Sequence, residues 1–149
     1  MSDCRCDDAA VAKYIAKLSG PLLDRIDLHV EVARVPFDEI VSRSAGEPSA
    51  TIRARVERAR VLQRERYAAR TRQTNASIGA RDVRRYCALN PDAISLLRDA
   101  AAHGNLSARG LDRLARVART IADLEGAPAI EVRHIAEAIG YLTLERKRN

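Results

Sequence analysis

Residues 106–126 read LSARGLDRLARVARTIADLEG, and the architecture turns on how this stretch folds. Leu111, Leu114, Val117 or Ala118, Ile121 and Leu124 or Glu125 recur three and four places apart, which puts them on one face of an α-helix. Ser107 offers a side-chain oxygen to the free N–H groups of the first turn, and Gly126 followed by Pro128 ends the run. A helix with a single apolar stripe has to bury it against other elements. The flanking sequence supplies them. Downstream, Glu131 to about Arg146 predicts a helix with Val132, Ile135, Ile139 and Leu142 inward, and its tail Arg146-Lys147-Arg148 suits a carbonyl-rich helix end. Upstream, Asn90 and Pro91 form a cap and first helical position, with Ile94, Leu97 and Ala101 inward until His103-Gly104. Ala80 to Cys87 predicts a short helix with Val83 and Cys87 on a common face. Thr71 to Gly79 is polar and predicts a loop.

The amino-terminal half is organised differently. Ser49 to about Arg72 predicts a long helix with Ile52, Val56, Ala59 and Leu62 or Gln63 on one side, and Arg53, Arg55, Arg58, Arg60, Arg64, Arg66 and Arg70 around the rest. Pro36 to Arg43 predicts a short helix with Phe37, Ile40 and Val41 as its apolar positions. Leu28, Val30 and Val32 alternate with His29 and Glu31, the period of a strand. A lone strand cannot satisfy its own backbone groups, so its partners are expected outside these 149 residues. Val11, Ile15 and Leu18 mark a short helix that ends before Ser19-Gly20-Pro21, and the abrupt polar start before it reads as a cut edge.

Composition narrows the class. The chain is 46% hydrophobic but only 3% aromatic, so its core must be aliphatic, as suits helix-on-helix packing. Basic residues outnumber acidic ones by 26 to 20, and all but three of them are Arg, a surface that attracts polyanions. No apolar run approaches the roughly 20 residues that cross a bilayer. Three cysteines without a secretion signal point to the cytoplasm. His29, His103 and His134 have no ligand spacing and are expected at the surface or at helix ends.

Two segments carry candidate chemistry. Arg109 falls in the first turn after the Ser107 cap, where the helix dipole disfavours a cation but where backbone N–H groups and a guanidinium together can seat a phosphate. Arg113 and Arg116 follow at helical spacing on the same face, opposite the apolar stripe; a solvated face with Asp112 paired to Arg116 is the structural alternative. The second segment is Gly20-Pro21-Leu22-Leu23-Asp24-Arg25-Ile26-Asp27, where flanking carboxylates can orient Arg25 as a clamp on a transferring phosphoryl group, or simply as an exposed ion pair.

Three strings, SGPLLDRIDLHVEV at 19–32, LSARGLDRLARVARTIADLEG at 106–126 and HIAEAIGY at 134–141, resemble the carboxy-terminal third of magnesium-chelatase-like AAA+ proteins, in particular the competence type. The likeness covers nearly the whole chain in the same order. It implies a mainly α fold: a helical bundle, the AAA+ lid domain, with a short β-strand remnant of the α/β core. Residues 1–33 would be the edge of that core, 34–72 connecting helices and 73–149 the lid. By the same resemblance Arg25 matches an arginine finger that reaches a neighbouring subunit's ATP, and Arg109 matches sensor 2, which touches the γ-phosphate. Arg113 and Arg116 would join Arg109 in binding nucleotide.

The resemblance further implies ATP and Mg2+ as cofactors of the full-length protein, an amino-terminal AAA+ core as partner, and a homo-oligomeric ring, expected to be a hexamer. DNA would be the substrate of a helicase or branch-migration motor, with Arg53, Arg60 and Arg64 as candidate backbone contacts. A chelatase subunit that metallates porphyrin, and a stand-alone basic nucleic-acid-binding module, are the alternatives. No G-x-x-x-x-G-K-[ST] and no apolar strand ending in Asp-Glu is present, so this chain alone is not expected to hydrolyse ATP. Cys4-x-Cys6 would, by resemblance, need an upstream Cys-Pro-Cys to close a four-thiolate zinc site, so free thiols and no metal are expected here.

Overall fold

The computed structural model describes residues 6–19, 22, 25–42, 46–68, 74–104 and 107–141. The features expected at Cys4, Gly20-Pro21, Leu23-Asp24, Arg43, Arg70, Leu142 and Arg146-Lys147-Arg148 lie outside them. The described residues are mainly α-helical. In chain order the helices are α1 (Asp8–Ile15), α2 (Phe37–Ser42), α3 (Ser49–Arg66), α4 (Ala80–Tyr86), α5 (Pro91–Gly104), α6 (Ala108–Glu125) and α7 (Val132–Gly140), with a 3-10 turn at Asn75–Ser77 between α3 and α4.

α6 is the hub, because it has the longest apolar stripe in the bundle and the neighbours to cover it. α3, α4, α7 and the 3-10 turn all pack on it, and α5 packs on α7. Leu114, Ala118 and Ile121 of α6 meet Ile135 and Ala138 of α7, Ala93 and Leu97 of α5, Val83 of α4, and Tyr67, Ile78, Cys87 and Ile130 from the connections. Both ends of α6 are built as its sequence dictates. Ser107 Oγ accepts from the Gly110 N–H at 3.0 Å. At the other end Gly126 adopts φ 75°, which lets its N–H reach the Asp123 carbonyl at 3.1 Å and the Ala127 N–H reach the Ala122 carbonyl at 2.8 Å. No atom stands within 4 Å of a Cβ placed on Gly126, so Gly126→Ala strains only the backbone. It should cost about 1–2 kcal/mol, read as a lower urea midpoint at unchanged slope.

α3 is tied to the hub by a buried polar network that its charge pattern does not announce. Asp123, fully buried, accepts from Arg66 Nη1 at 2.8 Å, from Asn75 Nδ2 at 2.8 Å and from Arg119 Nε at 3.0 Å, and Arg66 Nη2 closes a bidentate pair. The Tyr67 hydroxyl donates to Asn75 at 2.8 Å. Arg66 is thus drawn inward, Arg55 forms an exposed bidentate pair with Glu47, and Arg53, Arg58, Arg60 and Arg64 stay exposed.

Several expectations need correcting. Leu28 to Val32 form no strand, because a strand exists through its ladder and the described chain offers one backbone bond there, His29 N–H to the Tyr141 carbonyl at 2.9 Å. Among the described residues the β-pairing is a single parallel bridge, Leu89 with Ile130. Phe37, Ile40 and Val41, the apolar positions of α2, are exposed, and so are Ile52 and Val56 of α3, since the body of the bundle covers α3 only from Ala59 onward. On α5, Ile94 faces out and Ala93 and Ala100 take its place beside Leu97. His29 is buried, not at the surface. His134 is a helix-end residue but fully buried: its Nδ1 accepts from the Glu131 N–H at 2.9 Å, and its Nε2 lies 3.0 Å from a Glu125 carboxylate oxygen. The described residues contain no helix long and apolar enough to cross a membrane. Cys6 is exposed and Cys87 buried, both as free thiols, and burial raises the Cys87 pKa to about 11.

Candidate anion-binding cleft

The first two turns of α6 form one wall of a cavity of about 700 Å3. Arg109, Asp112, Arg113 and Arg116 come from that helix, Arg84 from the last turn of α4, and Arg25 and Asp27 from the segment that follows residue 22. The small side chains of Ala80 and Ala108, each the first residue of its helix, also line it. Five guanidinium groups therefore border one concavity with two carboxylates, an excess of three positive charges.

The wall is graded in accessibility. Arg109 is exposed in the first turn, where N–H groups have no acceptor within the helix and the dipole end is positive. A cation here is unfavourable unless an anion joins it, and an anion then gains from charge, dipole and N–H groups together. Arg116, two turns on, is half-buried, and its Nε is buried without a hydrogen-bond partner among the described residues. Arg113 is 3% exposed and donates through Nη1 to the Ile26 carbonyl at 3.1 Å. The segment carrying Arg25 is thereby laid against α6.

The fold thus brings Arg25, Arg109, Arg113 and Arg116 together from positions up to 91 residues apart. Arg53, Arg60 and Arg64 do not line this cleft; they stand at spacings of seven and four on the exposed side of α3. Arg84 is the residue that sequence reasoning missed. It follows the inward Val83 on a short helix, and nothing in its local pattern says that α4 will lie beside the start of α6.

Comparison with known proteins identifies the family of the chain. The description "Magnesium chelatase, subunit ChlI C-terminal" matches residues 46–142, and "Magnesium chelatase, subunit ChlI" matches residues 1–40. The uncharacterized protein YifB of Salmonella typhimurium is 40% identical over 144 residues, which is 95% of this chain and 28% of that protein. Competence protein ComM of Haemophilus influenzae is 36% identical over 143 residues, 95% of this chain and 27% of its own length. The uncharacterized protein Rv2897c of Mycobacterium tuberculosis is 37% identical over 139 residues, 93% of this chain and 27% of that protein. The chain spans just over a quarter of the length of these curated relatives. With both family descriptions matched in order along it, the chain belongs to the magnesium chelatase subunit ChlI family.

Proposed function

We propose that this chain is the lid and arginine-bearing region of an ATP-driven AAA+ motor, and that the cleft receives the polyphosphate of ATP. The observation that carries the reading is the convergence of five guanidinium groups on the opening turns of α6 in a cleft with only two carboxylates. Nucleotide phosphates are the chemistry that planar, always-charged donors in such density suit. Arg109 acts as sensor 2 on the γ-phosphate, and Arg25 supplies the charge of an arginine finger as the transition state forms. Both border the same cleft, so one protomer can present them to one triphosphate, an arrangement simpler than the two-protomer one that the resemblance implies. The nucleotide itself, with its Mg2+, would be held by the phosphate-binding loop of an AAA+ core, and a ring of six gives every cleft a core to face. Mg2+ is assigned no residue of this chain.

DNA is the substrate we propose for the motor. A similar protein is named a competence protein, and the exposed Arg53, Arg60 and Arg64 offer one side of α3 to a phosphate backbone. Such a motor would work in the cytoplasm. Porphyrin binding by the intact complex, with no response of turnover to DNA, would favour the chelatase reading instead.

The cleft itself is testable on this chain. Calorimetric titration with tripolyphosphate should show saturable binding that weakens with added salt, and Arg109→Ala should lower the affinity about tenfold or more, as loss of a charge-assisted hydrogen bond implies. Absence of saturation at millimolar tripolyphosphate, or an unchanged affinity in Arg109→Ala, would sink the assignment.

A further inference from the structure

Of the five arginines around the cleft, Arg113 is the one whose surroundings do not suit direct contact with a ligand. Arg109 is exposed and Arg116 is half-buried, whereas Arg113 has 3% of its surface left and spends Nη1 on the backbone carbonyl of Ile26, 87 residues away in sequence. Ile26 stands between Arg25 and Asp27, and both of those neighbours line the cleft. Three residues further on, the His29 N–H donates to the carbonyl of Tyr141, just past the end of α7, and the His29 ring is buried. The same segment otherwise exposes its apolar side chains, Leu28, Val30 and Val32 among them, so apolar burial does little to hold it. Two polar links, one to α6 and one to the end of α7, tie it to the bundle.

We propose that Arg113 is a positioning residue: bonded to the Ile26 carbonyl, it holds residues 25–29 against α6 so that Arg25 faces the same cleft as Arg109 and Arg116. The chemistry favours Arg for this. A planar fork can reach from a helix face to a backbone carbonyl with one arm, and its charge strengthens the bond to that carbonyl. The consequence is mechanical coupling. A movement of α6 carries Arg25 with it, so the finger and the sensor approach or leave a phosphate as one unit.

This inference rests on the polyphosphate reading for its consequence but not for its geometry, and the experiment separates the two. Amide hydrogen exchange in the free chain should show the His29 N–H losing protection at least tenfold in Arg113→Gln, while core amides such as Leu114 and Ile121 exchange as in the wild type. Tripolyphosphate affinity should then fall in Arg113→Gln by about the same factor as in Arg25→Ala, and the double variant should be no weaker than Arg25→Ala alone. Losses that multiply in the double variant would mean that Arg113 touches the ligand directly, and would overturn the proposal. Unchanged exchange at His29 would overturn it as well. Should Arg113→Gln loosen the whole bundle, Arg113→Lys, which retains a donor and a charge, is the variant to measure: partial protection at His29 with a stable core supports the proposal, and global loosening there too makes Arg113 a core residue and rejects it. If the wild type binds no tripolyphosphate, the cleft reading fails while the exchange result still decides the role of Arg113.

Discussion

Asp123→Asn is expected to destabilise the bundle by about 3–5 kcal/mol, the cost of removing one member of a buried charge network and leaving its partners without a counter-charge. In a domain of this size that lowers Tm by roughly 10 °C or more. The asymmetry comes from the number of groups the carboxylate serves. It accepts from Arg66 twice, from Asn75 and from Arg119, and Arg119 is itself almost wholly buried, its other donors spent on the Pro128 and Ala127 carbonyls at 3.1 Å and 2.6 Å. Arg66→Met should cost less, because Asp123 then keeps Arg119 and Asn75 and the lost cation was partly exposed.

The same site fixes a pH dependence. Burial pushes the Asp123 carboxyl up, but the hydrogen bonds from Arg66 and Asn75 and the charges of Arg119 and Arg66 outweigh it, so the pKa ends below its ordinary value of 3.8. A folded-state pKa below the unfolded one contributes stability that is present above 3.8 and is lost as the pH falls below it toward the folded value. Thermal melts from about pH 5 down to about pH 2 should therefore show a steeper loss in the wild type than in Asp123→Asn. Parallel curves would mean that the carboxylate is not held in its charged form.

In an intact ATPase carrying this chain, Arg25→Ala is expected to slow ATP turnover by about 10³-fold, and Arg109→Ala by about 10²–10³-fold. Those magnitudes follow from where the charge appears. A guanidinium aimed at a phosphoryl group stabilises charge that develops only in the transition state, so its loss acts on kcat rather than on nucleotide affinity alone. Turnover should be measured with and without DNA on variants shown by size-exclusion chromatography to assemble like the wild type. Wild-type turnover in either correctly assembled variant removes that residue from the mechanism.

The fold of the carboxy-terminal half was legible because its signals are local. Ser107 and Gly126 bracket α6, Asn90 and Pro91 open α5, and the stripe Leu114, Ala118 and Ile121 is buried as its spacing requires. The helix from Ser49 was legible in existence, but it ends at Arg66 rather than near Arg72, and its packing was not legible: Ile52 and Val56 look as inward as Ala59, and only the reach of the body decides that they stay outside. The candidate site was half legible. Arg109, Arg113 and Arg116 share a helical face by arithmetic, and Arg25 stood out by motif, yet Arg84 gave no signal.

What the sequence determined by itself was the set of helices and the arginine face of α6, since caps, breakers and a 3.6-residue period act over a few neighbouring residues. What only the tertiary structure decided was partnership: that Arg66 and Arg119 share Asp123, that Arg113 meets Ile26, and that Arg25 and Arg84 come to the start of α6. Those pairings span from 4 to 91 residues, and at the longer separations no local rule sets which carboxylate, carbonyl or cavity a guanidinium will find. The choice is made when the apolar stripes close and polar groups with no access to water must take the partners that packing leaves within reach.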